Sequence, residues 1–298
     1  TMKRGTDLSI VAENIRSKAF YPYTHEGAVI NIGCNIGASI FPDDGNDKES
    51  LIRFAMSAME EAQTKDEPLI IFNKELHRAS LRKAKLRSDM RRALVAEQFQ
   101  AHFQPVVKAD GTLVGAEALI RWIHPELGNI PPMDFIPLAE ESGDTIMIGR
   151  WVLYQVCRYI KKWGKLLGNR FISVNLSAKE FAGEGLVEYV ARGLESEGVS
   201  PRQLKLEITE TQSMSNIEDA IAKIHRLADV GVEVFIDDFG AGYSSLAYIK
   251  RLPARVIKID KCFVDAIAEN EEDRAFLAGM IGMIISKGKE IIVEGVGT

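Results

Sequence analysis

The sequence lacks most of the features that announce the commoner catalytic and binding classes. It holds three cysteines in 298 residues, Cys34, Cys157 and Cys262. Their wide spacing and odd number exclude a disulfide framework and a zinc-ligand pattern, and fit a reducing compartment. The five histidines, His25, His77, His102, His124 and His225, form no H-E-x-x-H group. No G-x-G-x-x-G follows the first strand-like run and no Walker lysine loop is present, which weakens dinucleotide-binding and P-loop readings. No G-x-S-x-G and no Cys/His pairing supports nucleophilic catalysis. Excess positive charge is missing too: 37 Lys and Arg face 42 Asp and Glu, a net charge of −5. A binder of polymeric nucleic acid usually shows a basic stripe, so that partner is not expected, whereas a small anionic ligand is compatible. The longest apolar runs, such as "EIIVEGV", are too short to span a bilayer, and there is no signal peptide. The expected location is the cytoplasm, with any membrane attachment supplied by parts outside this chain.

What is present is ordinary globular composition, 46% hydrophobic and 27% charged, enough chain for one large domain or two medium ones. Residues 8–19 and 48–63 have helical apolar spacing. Residues 28–41 and 67–75 are β-branched and read as strands. Residues 1–75 are therefore an α+β segment. Residues 76–99, rich in Arg, Lys, Ala and Leu without Pro or Gly, read as one linker helix. From residue 100 the rhythm changes. Short apolar runs, "LVGAEALIRW", "FISVNLS", "LKLEITE", "VEVFIDDF", "RVIKID" and "EIIVEGV", alternate with helical patterns over 145–167, 184–197, 216–230 and 271–288. Such alternation implies a parallel sheet buried on both faces, either an open doubly wound sheet or a (β/α)8 barrel.

Each run carries a polar residue near its end: Glu117, Asn175, Glu207, the pair Asp237 and Asp238, Lys258 with Asp260, and Glu294. A single acid at a strand end more often caps a loop. Six strand ends delivering such residues together make a constellation, because parallel strands gather their carboxyl ends at one face or edge. Oxygen ligands suit Mg²⁺, Mn²⁺ or Ca²⁺ rather than zinc. Adjacent aspartates can serve two metals, as in two-metal phosphoester hydrolysis.

These residues stand in motifs that resemble the EAL domain, the cyclic di-GMP phosphodiesterase. The motifs run in order: "FQPVV" (103–107), "EALIRW" (117–122), "PPMDFIPLAEESG" (131–143), "VNLS" (174–177), "LEITET" (206–211), "FIDDFGAGYSSLAYIKRLP" (235–253), "IKID" (257–260) and "VEGV" (293–296). The N-terminal run "INIGCNIGASIFPDDGNDKESLIRFAMSAMEEA" is similar to the C-terminal part of a GGDEF domain. The GGDEF signature itself is absent, so no cyclase activity is expected. The resemblance implies a TIM-like (β/α)8 barrel over residues 100–298 that hydrolyses cyclic di-GMP to linear pGpG with two divalent cations, Mg²⁺ or Mn²⁺. Ca²⁺ is expected to occupy the site but inhibit, since its larger shell is geometrically looser. By the same resemblance, Glu117, Asn175, Glu207 and Asp237 are ligands of one metal, and Asp237 and Asp238 are shared with the second. Lys258 orients the attacking water or steadies charge, and Glu294 stands near that water as base or outer metal partner. Gln104, Leu119, Arg121 and Asp260 are substrate contacts. Glu210 anchors the loop after Asp238, in which Phe239, Gly240 and Gly242 belong to a regulatory element and Tyr243 to Tyr248 form its hinge and first helical turn. A homodimer through this domain is implied.

Two departures from the pattern qualify these expectations. The usual "EGVET" reads "EGVGT", with Gly297 in place of a glutamate that supports the site. A catalytically weak or inactive cyclic di-GMP receptor is therefore the alternative function. The chain also ends at Thr298, where the family continues through two more strands. A barrel without them would expose strand edges and core, so the expectation is that further residues follow.

Overall fold

The computed structural model describes residues 7–20, 22–25, 28–30, 33–240, 251–264, 267 and 270–296. Gly242, the hinge from Tyr243 to Tyr248, and Gly297 lie outside the described residues. The chain divides into two units, Thr1–Ser88 and Asp89–Thr298, and the boundary falls within a helix.

The first unit opens with α1 (Leu8–Ala19), whose Asp7 cap accepts the Ser9 amide. β1 (Tyr23–His25) and β2 (Ala28–Ile30) form an antiparallel pair, and β3 (Ile36–Ala38) pairs in parallel with β4 (Leu69–Ile71). The expected single strand over 28–41 is thus split between two sheets. Between β3 and β4 runs α2 (Lys48–Lys65), started by Asp47 and stopped by the left-handed Asp66. Gly37 permits α2 to lie directly on β3, because a Cβ there would meet the Ala55 carbonyl at 2.1 Å. Ala58, Ala62, Ile70 and Phe72 form the small core, with Phe54 stacked on Phe72 at 4.2 Å.

The helix α3 spans Lys74–Val95, not 76–99. It stops because Glu97 turns left-handed (φ 52°) and the Gln98 amide reaches back to the Ala93 carbonyl at 3.0 Å. The residues beyond, "FQAHFQPVV", alternate in burial and form β5 (Phe99–Val107), a strand concealed by the helical reading of its first residue.

The second unit is built on one mixed sheet. β5 pairs antiparallel with β6 (Leu113–His124), which also holds the short β7 (Gly128–Ile130). From β6 the sheet continues in parallel through β8 (Phe171–Asn175), β9 (Leu204–Thr209), β10 (Glu233–Phe239), β11 (Val256–Ile259) and β12 (Glu290–Val293). β5 and β12 are its two ends. The connecting helices are α4 (Pro132–Ser142), α5 (Thr145–Leu167), α6 (Ala178–Ala182), α7 (Leu186–Glu197), α8 (Glu210–Ser215), α9 (Ile217–Asp229) and α10 (Glu271–Ser286). The short α8 was not foreseen, since six residues are too few to show a helical period.

The long helices α5 and α9 turn apolar stripes to the sheet: Ile148, Val152, Val156 and Ile160 on α5, and Ile224 and Leu227 on α9. Cys157 is part of that packing, and burial pushes its thiol up to about 11, which marks it as inert. Phe99, Trp122 and Phe135 form an aromatic cluster with centroids 5.2–5.6 Å apart. The buried Trp122 indole is satisfied by Gln98 at 3.0 Å.

The sheet is curled. Four strand intervals separate β6 from β11, about 19 Å across a flat sheet. Yet the Lys258 ammonium on β11 lies 3.0 Å from the Glu117 carboxylate on β6. Side chains of that length cannot bridge the flat distance, so the face carrying both is concave. This α/β arrangement fits the TIM-like class. Among the described residues, no helix is long and apolar enough to cross a membrane.

Candidate active site at the strand ends

The concave face is selected by the two-residue period of the strands. On β6, Glu117, Leu119 and Arg121 share it, while Trp122 belongs to the opposite, helix-covered face. The antiparallel register sets Gln104 against Glu117 and Gln100 against Arg121. Asn175 and Glu207 are register partners on β8 and β9, and Asp237 is paired with Thr209 across β9 and β10.

At the centre stands Lys258. Its ammonium lies 3.0 Å from Glu117, 2.8 Å from Glu207, 3.1 Å from Asp237 and 2.8 Å from Glu294. The side chain is only 2% exposed. Burial alone would lower its pKa, but the fields of Glu207, Asp237 and Glu117 outweigh that, and the group stays charged well above the ordinary lysine range. Glu207 is pushed up to about 8, chiefly by burial, against the pull of Lys258 and with Glu117 and Asp237 adding repulsion.

Asp237 and Asp238 are brought to one place by an irregularity in β10. The pairing with β11 shifts register between Ile236 and Phe239, and Asp238 adopts φ 53°. A non-glycine residue in the left-handed region is uncommon and marks a locally strained position. Without it, neighbouring side chains would point to opposite faces. With it, Asp237, Asp238 and Glu294 offer carboxylate oxygens within 4.8 Å of one another, as do Glu117, Glu207 and Asp237. Asp237 belongs to both groups. Burial, then the neighbouring Asp237, Asp260 and Glu294, push Asp238 up to about 6. Glu294 is raised as well, first by burial. Five carboxylates and one ammonium leave a net formal charge of −4 when all are ionised.

The other predicted residues fall as follows. Asn175 donates its amide N–H to Glu117 at 2.7 Å, which leaves its amide oxygen as the possible ligand atom. Arg121 donates to the Ile120 carbonyl at 2.8 Å. Gln104 is exposed on the concave face. Asp260 caps the turn after β11 by accepting the Cys262 amide at 2.8 Å, and its pKa is held down by hydrogen bonding from Cys262, first from the side chain and then from the backbone. Glu210 is buried and accepts the Gly240 amide at 3.0 Å. Phe239 is buried. Gly240 has φ 97° and no room for a side chain, since a Cβ would lie 2.6 Å from the Phe263 ring. What the sequence reading missed at this face is the first part of β5, ahead of the "FQPVV" motif that holds Gln104. Its period-two alternation from Phe99 onward was the available signal.

Comparison with known proteins identifies the family. The family model described as the EAL domain matches residues 87–298. The chain is 36% identical over 297 residues to MucR of Pseudomonas aeruginosa, a bifunctional diguanylate cyclase/cyclic di-GMP phosphodiesterase, covering 98% of this chain and 43% of MucR. It is 31% identical over 290 residues to PdeR of Escherichia coli, a cyclic di-GMP phosphodiesterase, covering 97% of this chain and 44% of PdeR. The chain thus spans under half the length of these curated relatives. A solved structure of the PaMucR phosphodiesterase in complex with c-di-GMP superposes with a TM-score of 0.69 at 41% identity, over 72% of this chain and 87% of that one. The family-model match covers more than half of the chain, so the chain belongs to the EAL-domain family.

Proposed function

We propose that this chain hydrolyses cyclic di-GMP to linear pGpG, with two divalent cations, Mg²⁺ or Mn²⁺, held by the acidic cluster. The observation that carries the reading is the sharing of Asp237 between two carboxylate triads beside a buried lysine. The donors are all oxygen, which suits hard cations. The net charge of −4 is the amount that two such ions cancel. Glu117, Asn175, Glu207 and Asp237 would hold one ion, and Asp237 with Asp238 the other. When bound, the pair supplies a water of lowered pKa and neutralises phosphate charge.

The remaining work falls to side chains. Glu294, whose pKa is raised, takes the proton of the attacking water. Lys258 keeps its charge and steadies the negative charge that develops on the phosphoryl oxygens. The planar fork of Arg121 suits a phosphate oxygen pair, and Gln104, Leu119 and Asp260 contact the nucleotide. Glu210 anchors Gly240 at the start of the regulatory loop. The MucR and PdeR names, and the c-di-GMP complex at 41% identity, support the substrate.

The test is incubation of the purified chain with cyclic di-GMP and Mg²⁺ or Mn²⁺, with chromatography for pGpG. Formation of pGpG is the expected result. Tight binding without turnover would move the assignment to a receptor, and neither binding nor turnover would overturn it.

The first unit fits the reading as the C-terminal part of a degenerate GGDEF domain without cyclase activity, since the match to MucR extends over 98% of the chain. A homodimer through the EAL domain and a cytoplasmic location complete the proposal.

A further inference from the structure

We infer that His102 is a specificity-determining contact of the substrate, reading a guanine base; the inference rests on the cyclic di-GMP reading above. β5 has two unlike faces. Phe99 packs on Trp122 and Phe135, and Phe103 packs edge-on against Tyr159 and Trp163 at 5.0 and 4.7 Å, which assigns the odd-numbered side chains to the helix-covered face. Gln100, His102 and Gln104 therefore lie on the concave face. The ladder sets them opposite Arg121, Leu119 and Glu117 in turn. Directly opposed residues in an antiparallel pair have Cβ atoms about 5 Å apart, so His102 borders Leu119. It stands one strand step, about 6.8 Å, from the row of Gln104 and Glu117.

A histidine at this position has no structural use for its ring. His102 is exposed, and among the described residues it makes no hydrogen bond, ion pair or ring contact. His124 shows the contrast: its two ring nitrogens are engaged by Asp89 at 3.0 Å and by the Glu126 and Leu127 amides at 3.1 and 3.2 Å. An exposed imidazole offers a flat π-face and both a donor and an acceptor in one plane. A purine presents the matching features, and such rings stack on aromatic side chains. With the phosphate drawn to the acidic cluster and Arg121, the neighbouring base falls towards His102.

The experiment compares the wild-type chain with His102→Ala and His102→Phe. Equilibrium binding of cyclic di-GMP is measured by calorimetry. Turnover is measured on cyclic di-GMP and on bis(p-nitrophenyl) phosphate, a phosphodiester without a purine. For His102→Ala, Kd and KM for cyclic di-GMP are expected to rise about tenfold, within the range that stacking of one base supports. The preference for cyclic di-GMP over the purine-free diester, as a ratio of kcat/KM, falls by the same factor. His102→Phe recovers part of the loss through its ring. A His102→Ala protein with unchanged Kd and unchanged preference overturns the inference while leaving the phosphodiesterase reading intact. An equal loss on both substrates also overturns it, since that would assign the residue to the phosphate. A wild-type chain that binds cyclic di-GMP without cleaving it sinks the enzymatic reading, and the Kd comparison still decides the role of His102. A wild-type chain that neither binds nor cleaves it overturns both.

Discussion

Lys258 decides most of what the acidic cluster can do. Four carboxylates crowd its ammonium at 2.8–3.1 Å, and each would repel the others without it. Removing one partner of a buried ion pair costs about 3–5 kcal/mol, because the charge left behind is uncompensated. Lys258→Met should therefore lower Tm on the order of 10 °C in EDTA. Mg²⁺ should recover part of the loss by replacing the missing positive charge. A Tm unchanged in EDTA, read by differential scanning fluorimetry, would show that the lysine is not the counter-ion. Glu117 tests the ligand assignment instead. Glu117→Gln keeps size and hydrogen bonding but removes the charge, and should reduce pGpG formation at least about 100-fold, since outer partners of metal ligands alone are worth 10–100-fold. Turnover near wild type would remove Glu117 from the site.

At the scale of elements, β10 carries the unusual geometry. A regular strand would send Asp237 and Asp238 to opposite faces, and the left-handed Asp238 is what joins them. The next support is Gly240, where φ 97° and the Phe263 ring both exclude a side chain. Gly240→Ala should cost about 1–3 kcal/mol in stability. It should also reduce turnover, because it displaces the backbone that Glu210 holds at 3.0 Å. Circular dichroism melting and the pGpG assay check the two effects, and a neutral substitution would show that the turn relaxes without consequence. "VFIDDFGAG" announced a strand running into acids and glycines. Two adjacent acids that serve one site already require Asp238 to leave strand geometry, and the register shift against β11 is how the fold achieves it. β5 was hidden because only residues 96–98 separate the end of α3 from its start, so the helical reading ran on into the strand.

For the whole molecule, the acidic site is a stability cost that bound cations would offset. A carboxyl whose folded pKa is raised favours the folded state below its unfolded pKa, and that contribution is lost as pH rises through the folded value. For Asp238 the window runs from the ordinary 3.8 to about 6, and Glu207 extends it to about 8. Metal-free protein should thus lose stability across this range as pH rises. Mg²⁺ should stabilise more at pH 8 than at pH 5, because protons compete for the same oxygens. At a hundredfold excess over Kd the gain is about 2.7 kcal/mol. Melting scans with and without EDTA at the two pH values measure it, and an Mg²⁺ effect larger at pH 5 would contradict the site. By itself the sequence determined which polar residues stand at strand ends and that strands alternate with helices, because apolar runs, periods and turn residues are local; the roles proposed for those residues come from the resemblance to the EAL domain. Only the tertiary structure decided that Lys258 meets Glu117 across 141 residues of chain, that Asp237 is shared, and that His102 faces the site. Those facts follow from the curl of the sheet and the register of its strands, which arise from the pairing of distant segments and belong to no single stretch.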